Sequence, residues 1–338
     1  RGKLNLDGPQ LEAQLSTSGP AEDASIEIEL DTAAGSGRAV IAGLVNSFAQ
    51  RPLKKILVLP DVDIDFTGGT VQVDGTFDWR GGGPLRGSLR ARFEDIAGYY
   101  STVAYTGVTS DVTMQYDSSI GLSAEPAELR ADFVDFGFEL RDISARYALQ
   151  LQDSAIDVSD LQLAAFGGVV RADPFSLRST GEPDTVLVRV ESLDLARLLI
   201  VDEFESVDVT GFVNGTFPVT LSTEGMRVEG GHIDGIEPGG VIRYRTAAAT
   251  DPAATDSPLG VAAKALSNFE YETLTSDVDY LENGDLVLAM QIRGRNPDMQ
   301  GGREVVLNLG VENNIPEMLR SLQASRNIEE ILERRANR

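Results

Sequence analysis

The sequence predicts a mainly-β protein built as a long antiparallel meander with only a few short helices. Runs in which apolar and polar residues alternate recur along the whole chain, and this period of two is typical of half-buried strands. Glycine-rich turns separate the runs, and the 34 glycines are spread from one end of the chain to the other. A strand spacing of about ten residues favours antiparallel hairpins over βαβ units, which need longer crossovers.

The clearest hairpin lies near the C-terminus, where residues 269–280 and 286–293 flank the turn Glu282-Asn283-Gly284. Asn-Gly is the strongest short hairpin signal because both of its residues tolerate a positive φ. A third run, residues 305–311, repeats the alternation. The apolar residues that share one face of the last two runs are Leu286, Leu288, Met290, Ile292, Val305, Leu307, Leu309 and Val311. Something must cover this face.

Composition divides the chain into modules. Residues 1–150 are predicted to form one or more strand modules, residues 151–245 another, and residues 259–338 a C-terminal one. Residues 246–258 are small, polar and proline-bearing, which predicts a loop between the last two modules.

Helical spacing of apolar residues predicts helices at 39–50, 192–200, 259–268 and 316–335. Ser192 is the predicted N-cap of the second helix. Each of the first three helices precedes an acidic strand entry, and Gly-Thr-Phe occurs twice, at residues 75–77 and 215–217. These features predict a weak internal repeat.

The charge balance excludes several partners. The formal net charge is -24, from 53 acidic and 29 basic residues. Binding to nucleic acid or to anionic headgroups by bulk attraction depends on an excess of Lys and Arg, so neither is expected. The absence of cysteine excludes disulfides and thiolate metal sites. No apolar run reaches the ~18 residues needed to span a bilayer, and because Arg1 begins in mid-pattern we expect a fragment of a longer protein.

The sequence contains few features that are typical of a catalytic or metal site. Asp61, Asp63 and Asp65 share a strand face, a spacing that matches no EF-hand. His232 is the only histidine and has no G-x-S-x-G serine to pair with. A glycosidase needs a pair of carboxylates, and nothing in the sequence distinguishes two of the 53 acidic residues as such a pair. The chain is therefore not expected to be an enzyme, nor to hold a metal or a cofactor.

Alternation alone leaves two architectures open. In one, two sheets cover each other's apolar faces in a closed β-sandwich, and the protein is a scaffold or interaction protein. In the other, a curved sheet leaves its concave apolar face open to hold acyl chains. The periodicity is the same in both.

Several segments resemble the C-terminal part of the YdbH-type proteins, which belong to the AsmA-like group of bacterial envelope proteins. The resemblance is dense over about residues 160–325. It is carried by Leu193-Asp-Leu-Ala-Arg-Leu-Leu199, Gly211 with Gly215-Thr-Phe-Pro-Val219, Pro238-Gly-Gly-Val-Ile-Arg-Tyr244, Phe269-Glu-Tyr-Glu-Thr-Leu-Thr-Ser-Asp-Val278, Gly284-Asp-Leu-Val-Leu288, Arg293-Gly-Arg-Asn-Pro297 and Val311-Glu-Asn-Asn-Ile-Pro-Glu-Met-Leu-Arg-Ser-Leu322.

This resemblance implies an elongated, curved and repeating β-groove, U-shaped in section, with a few short helices and a C-terminal helix. It further implies transport of phospholipids across the Gram-negative periplasm in outer-membrane biogenesis, with the full-length protein anchored in the inner membrane by an N-terminal helix that this sequence lacks. It also implies a partner, a small outer-membrane lipoprotein that extends the sheet at its C-terminal end. The C-terminal helix is expected to cap the end of the groove.

Alternation and resemblance together nominate two sets of residues. The predicted groove lining comprises Val209, Val213, Phe217, Leu286, Leu288, Met290, Ile292, Leu307 and Leu309. The predicted site of strand addition comprises Val305, Val306, Leu307, Asn308 and Leu309.

Overall fold

A computed structural model describes eleven stretches of the chain. These are residues 1–18, 22–46, 64–101, 103–135, 138–150, 155–178, 184–200, 207–222, 225–245, 258–299 and 301–317. The predicted loop 246–258 lies outside them except for Pro258. The predicted helix 316–335 also lies outside them except for Pro316 and Glu317, which belong to a helical turn at residues 315–317.

The described residues form one open antiparallel sheet of 21 strands with few and short helices, which confirms the predicted mainly-β class. The strands are β1 (Gly2–Asp7), β2 (Gln10–Ser18), β3 (Glu22–Asp31), β4 (Ser36–Asn46), β5 (Ile64–Trp79), β6 (Arg86–Tyr100), β7 (Val103–Asp117), β8 (Gly121–Ala124), β9 (Ala127–Asp135), β10 (Glu139–Gln150), β11 (Ala155–Ala165), β12 (Gly168–Ala172), β13 (Phe175–Arg178), β14 (Asp184–Asp194), β15 (Val207–Val209), β16 (Phe212–Ser222), β17 (Gly225–Gly235), β18 (Gly240–Tyr244), β19 (Phe269–Tyr280), β20 (Asp285–Arg295) and β21 (Glu304–Asn314). The helices are α1 (Leu195–Ile200) and α2 (Pro258–Leu266).

The chain divides into two units. Unit 1 comprises Arg1–Gln162 and Pro174–Gly181, and unit 2 comprises Leu163–Asp173 and Glu182–Arg338. The finer module boundaries expected from composition stay predictions.

Unit 1 is a meander in which β1 to β7 pair in chain order. β7 then pairs with both β8 and β9, and β9 pairs with β10. Ile96, 1% exposed, packs with half-buried apolar side chains where the β5–β6–β7 ladder is bulged.

Unit 2 follows the strand order β12, β14, β16, β17, β19, β20, β21. The short strands β15 and β18 pair with each other, and β18 pairs with the first residues of β19. The largest buried cluster lies here and contains Val213, Phe269, Tyr271, Leu274 and Ile292.

The predicted helix 39–50 is wrong for its described part, because Ser36–Asn46 is strand β4. The run Val40, Ile41, Leu44 and Val45 has helical spacing, but a short apolar run of this kind fits a strand with neighbours on both sides equally well. β4 has such neighbours, since Ile41 lies between Ile26 of β3 and Gly75 of β5. The proposed helix-then-strand repeat therefore fails at its first copy.

The predicted helix 192–200 starts later than expected. β14 continues to Asp194, and Ser192 has a φ of +57° inside that strand, so it is not the N-cap. Asp194 takes this role, because its Oδ1 accepts a hydrogen bond from the Ala196 N–H at 3.0 Å. The third predicted helix, 259–268, corresponds to α2.

Candidate functional site

The predicted lining residues of β20 lie on one face of the sheet in unit 2. Ile292 pairs with Leu274 on one side and Leu307 on the other, while Met290 lies between Ser276 and Leu309. Residues paired across a ladder point to the same side of a sheet. Leu288, between Val278 and Val311, and Leu286, beside Tyr280, continue the same row.

The other predicted lining residues share this face. Phe217 and Val213 of β16 lie opposite Val188 and Leu193 of β14. Val209 pairs with Ile242, which pairs with Phe269 at the start of β19. We call this surface the apolar face of unit 2: Val209, Val213, Phe217, Leu286, Leu288, Met290, Ile292, Leu307 and Leu309, with their apolar neighbours. The strand register therefore places all nine predicted lining residues on the same face of the sheet.

The apolar face differs from one end to the other. Val213 and Ile292 are only 4% and 1% exposed, because they belong to the buried cluster around Phe269 and Tyr271. Leu195 of α1 and Leu266 of α2 pack against that cluster. Leu286 and Leu288, towards the hairpin turn, remain half-buried. The face is therefore filled by the protein's own side chains at one end and partly accessible at the other.

Two polar contacts hold the filled end in place. The Tyr271 hydroxyl donates to the carbonyl of Thr210 at 2.8 Å, and burial raises the pKa of Tyr271 to about 12. The buried Asn296 amide donates to the carbonyls of Lys264 and Ala265, both at 3.0 Å, at the C-terminal end of α2. Asn296 is not among the predicted site residues, although it lies within the Arg293–Pro297 segment of the family resemblance.

The opposite face of the same strands is polar. His232 of β17 contacts Asp277 of β19 through Nδ1 at 3.1 Å and Asp234 through Nε2 at 3.3 Å. The hydrogen bond to Asp277, together with the charge of Asp234, raises the pKa of His232 above its usual value. Gln291 donates to Asn308 at 3.1 Å. One side of the sheet is therefore apolar and the other hydrated.

Unit 1 has an apolar face that the predicted lining set missed. Leu15, Ile26 and Ile41 lie side by side across β2, β3 and β4, and Leu89 and Met114 do so across β6 and β7. Towards β1 this surface is strongly exposed, with Leu4 at 72% and Leu6 at 64%. The signal was present in the sequence as the alternation of residues 11–15 and 26–30.

The pairing of β21 with β20 determines which residues of β21 direct their backbone N–H and C=O groups to its outer edge. The Ile315 N–H donates to the Gly284 carbonyl at 2.9 Å, in the register that continues along β20 and β21. Because hydrogen-bonded pairs alternate along an antiparallel ladder, Val305, Leu307 and Leu309 direct their backbone groups to β20. Val306 and Asn308 direct theirs to the other edge, where no described strand pairs with them.

Within the described residues, no three His, Cys, Asp or Glu side chains are grouped so that they could hold a metal ion. Of the acidic triplet, Asp61 and Asp63 lie outside those residues. None of the described helices is long and apolar enough to cross a bilayer.

Comparison with known proteins gives one result. The model of the YdbH-like family, described as intermembrane phospholipid transport protein YdbH, matches residues 2–337. No curated protein and no solved structure matches the chain. The family description names a transport function and no enzymatic reaction.

Proposed function

Because the chain belongs to the YdbH-like family of intermembrane phospholipid transport proteins, we propose that its apolar sheet face shields phospholipid acyl chains between the inner and outer membranes. The observation that carries the proposal is the register of unit 2, in which Leu288 lies between Val278 of β19 and Val311 of β21, and Met290 lies beside Leu309 of β21. A curved sheet with this face inside would form a groove in the periplasm. The headgroups would remain in water beside the polar rim.

The energetics suit passive shielding. Removing a methylene from water contributes about 0.8 kcal/mol, so an acyl chain can rest on half-buried leucine and methionine side chains without an energy source at the face. Apolar contacts are not directional. Such a face accepts different acyl chains and allows them to slide. The anionic exterior, at a net charge of -24, disfavours adhesion to anionic membranes.

Photocrosslinking in the cell envelope tests the proposal. A photoreactive amino acid at Met290, on the apolar face, is expected to capture phospholipid. The same amino acid at Gln291, the next residue in β20 and on the polar face, serves as the matched control. Capture from position 290 but not 291 supports shielding by the apolar face. Failure at 290, 288 and 309 alike would instead favour a closed β-sandwich scaffold.

We also propose that the edge of β21 receives a strand from a small outer-membrane lipoprotein. An exposed edge strand is a template for strand addition, and the centre of this edge carries Val306, Asn308 and Gly310 without lysine or proline. The full-length protein would be anchored in the inner membrane by an N-terminal helix, so that this edge would lie towards the outer membrane.

Strand addition can be tested selectively, because successive residues of β21 direct their backbone N–H and C=O groups to opposite edges of the strand. Asn308→Pro removes an N–H that points to the open edge and leaves the β20–β21 ladder intact, whereas Asn308→Ala keeps that N–H. Both variants lose the contact with Gln291. With a photoreactive amino acid at position 306, we expect crosslinking to the lipoprotein to be lost in Asn308→Pro and kept in Asn308→Ala. Equal crosslinking in both variants would contradict it.

A further inference from the structure

The repeated Gly-Thr-Phe segments place a phenylalanine ring over glycine in both units. In β16, a Cβ atom added at Gly215 would lie 2.6 and 2.7 Å from Cε2 and Cζ of Phe217. A Cβ at Gly231 of β17 would lie 2.9 Å from Cδ1 of the same ring. The ring of Phe217 therefore occupies the space that two side chains would fill.

Unit 1 repeats the arrangement on its own apolar face. A Cβ at Gly87 of β6 would lie 2.7 Å from Cγ of Phe77, its cross-strand partner, and 2.6 Å from the Thr76 carbonyl oxygen, so both the ring and the backbone require glycine there. At Gly37, the cross-strand partner of Trp79, a Cβ would lie 2.8 Å from Cε2 of the indole and 2.5 Å from the Glu29 carbonyl oxygen. Aromatic rings and glycines are thus paired independently in each unit.

The missing side chains of these glycines determine how far the aromatic rings stand above the sheet. Carbon atoms in contact are about 3.5–4.0 Å apart, so none of these rings could keep its position beside a Cβ. Missing side chains let the rings lie down along the sheet, whereas a phenylalanine without such space would project from it. Each ring then raises the surface by about one contact distance.

We propose that these glycines keep the Phe217 and Phe77 rings flat so that an acyl chain can pass over them along the apolar face. The inference rests on the proposed function and assigns these glycines a role in keeping the passage low. The rings cover backbone that glycine would otherwise expose, which keeps the surface apolar.

Gly215→Ala is the cleanest test. Apart from ring atoms of Phe217, the nearest atom to the new methyl group is the His232 carbonyl oxygen at 3.5 Å, so the ring has to rise while the backbone keeps its place. The readout is photocrosslinking from position 188, the cross-strand partner of Phe217. The probe is an acyl-labelled phosphatidylethanolamine supplied in vesicles of phosphatidylethanolamine and phosphatidylglycerol. Circular dichroism monitors folding.

We expect Gly215→Ala to reduce crosslinking about tenfold, which corresponds to losing the burial of about two methylenes. Adding Gly215→Ala to Phe217→Ala should cause no further loss, so Phe217→Ala alone and the double variant Gly215→Ala/Phe217→Ala should crosslink to the same extent, because neither has a ring to raise. Gly43→Ala is the control, since Gly43 lies on the apolar face of unit 1 with no ring near its Cβ position.

The outcomes separate the two ideas. A wild type that captures no lipid overturns the proposed function and this inference together. A wild type that captures lipid and is insensitive to Gly215→Ala overturns the inference alone. A further loss when Gly215→Ala is added to Phe217→Ala also overturns it, because the methyl group would then act without the ring.

Discussion

The hydroxyl group of Tyr271 donates a 2.8 Å hydrogen bond to the carbonyl of Thr210, 61 residues earlier in the chain. Two glycines make room for it: a Cβ at Gly211 would lie 3.1 Å from Cζ of the tyrosine, and one at Gly240 would lie 2.8 Å from its hydroxyl oxygen. The bond ties β19 to the segment between β15 and β16. It fixes the filled end of the apolar face in unit 2.

Tyr271→Phe should lower the free energy of unfolding by about 1 kcal/mol, because it removes a part-buried hydrogen bond made by a tyrosine that is only 2% exposed. Urea unfolding followed by circular dichroism measures the effect. Tyr105→Phe is the matched control, since Tyr105 makes the same kind of bond to the Asp65 carbonyl at 3.1 Å but is only half-buried. An equal loss in both variants, or none in Tyr271→Phe, would contradict the argument from burial.

The same two tyrosines should ionise last. Burial raises the pKa of Tyr105 and of Tyr271 to about 12, against an ordinary value near 10. A folded-state pKa above the unfolded one contributes stability that is complete below about pH 10 and is lost as the pH rises through about 12. Ultraviolet titration of the eight tyrosines should therefore show a late fraction that shrinks in Tyr271→Phe. A single common transition near pH 10 would contradict it.

The C-terminal hairpin was predictable because its signals are local. Alternation set the faces of β20 and β21, and Asn283-Gly284 set the turn. In detail the turn differs from the expectation, since of these two residues only Gly284 has a positive φ, of +91°. The Leu281 carbonyl accepts from the Gly284 N–H, as in a three-residue loop that ends in a glycine bulge.

What sequence could not supply depends on distant partners. A bulge between Tyr271 and Thr273 moves Leu274 onto the face of Phe269, a shift that strict alternation does not foresee. Ile292 and Leu288 have equivalent positions in the pattern, yet only Ile292 belongs to the buried cluster against which Leu266 packs. Alternation therefore fixes the face of a residue only between bulges, and it does not determine which residues pack against it.

His232 should titrate above its ordinary pKa. The hydrogen bond to Asp277, with the nearby charge of Asp234, favours the protonated ring. A raised folded-state pKa gives stability that is complete below about pH 6.5 and is lost as the pH rises through the folded value. The side chains of His232 and Asp277 are 47% and 77% exposed, so the contribution is screened to less than about 1 kcal/mol.

Nuclear magnetic resonance can follow this titration without assignment, because the chain has one histidine. Asp277→Asn should lower the pKa of His232. Asp279→Asn is the control two residues further along β19, where the carboxylate accepts from the Gly230 N–H and does not contact the histidine. Equal titration curves in the two variants would show that the Asp277 bond does not set the pKa.

Asn296→Asp should destabilise α2 more than its small change in shape suggests. The Asn296 amide nitrogen donates to two carbonyls at the end of the helix, while its oxygen accepts from the Asp298 N–H at 2.8 Å. A carboxylate cannot donate, and its charge would face the negative end of the helix. We expect unfolding to become easier by about 3 kcal/mol at neutral pH. The deficit should shrink as the pH falls, because a protonated carboxyl can again donate. Hydrogen exchange of the α2 amides locates the effect, with the exposed Asn308→Asp as the control; equal exchange in the two variants would refute the assigned role of Asn296.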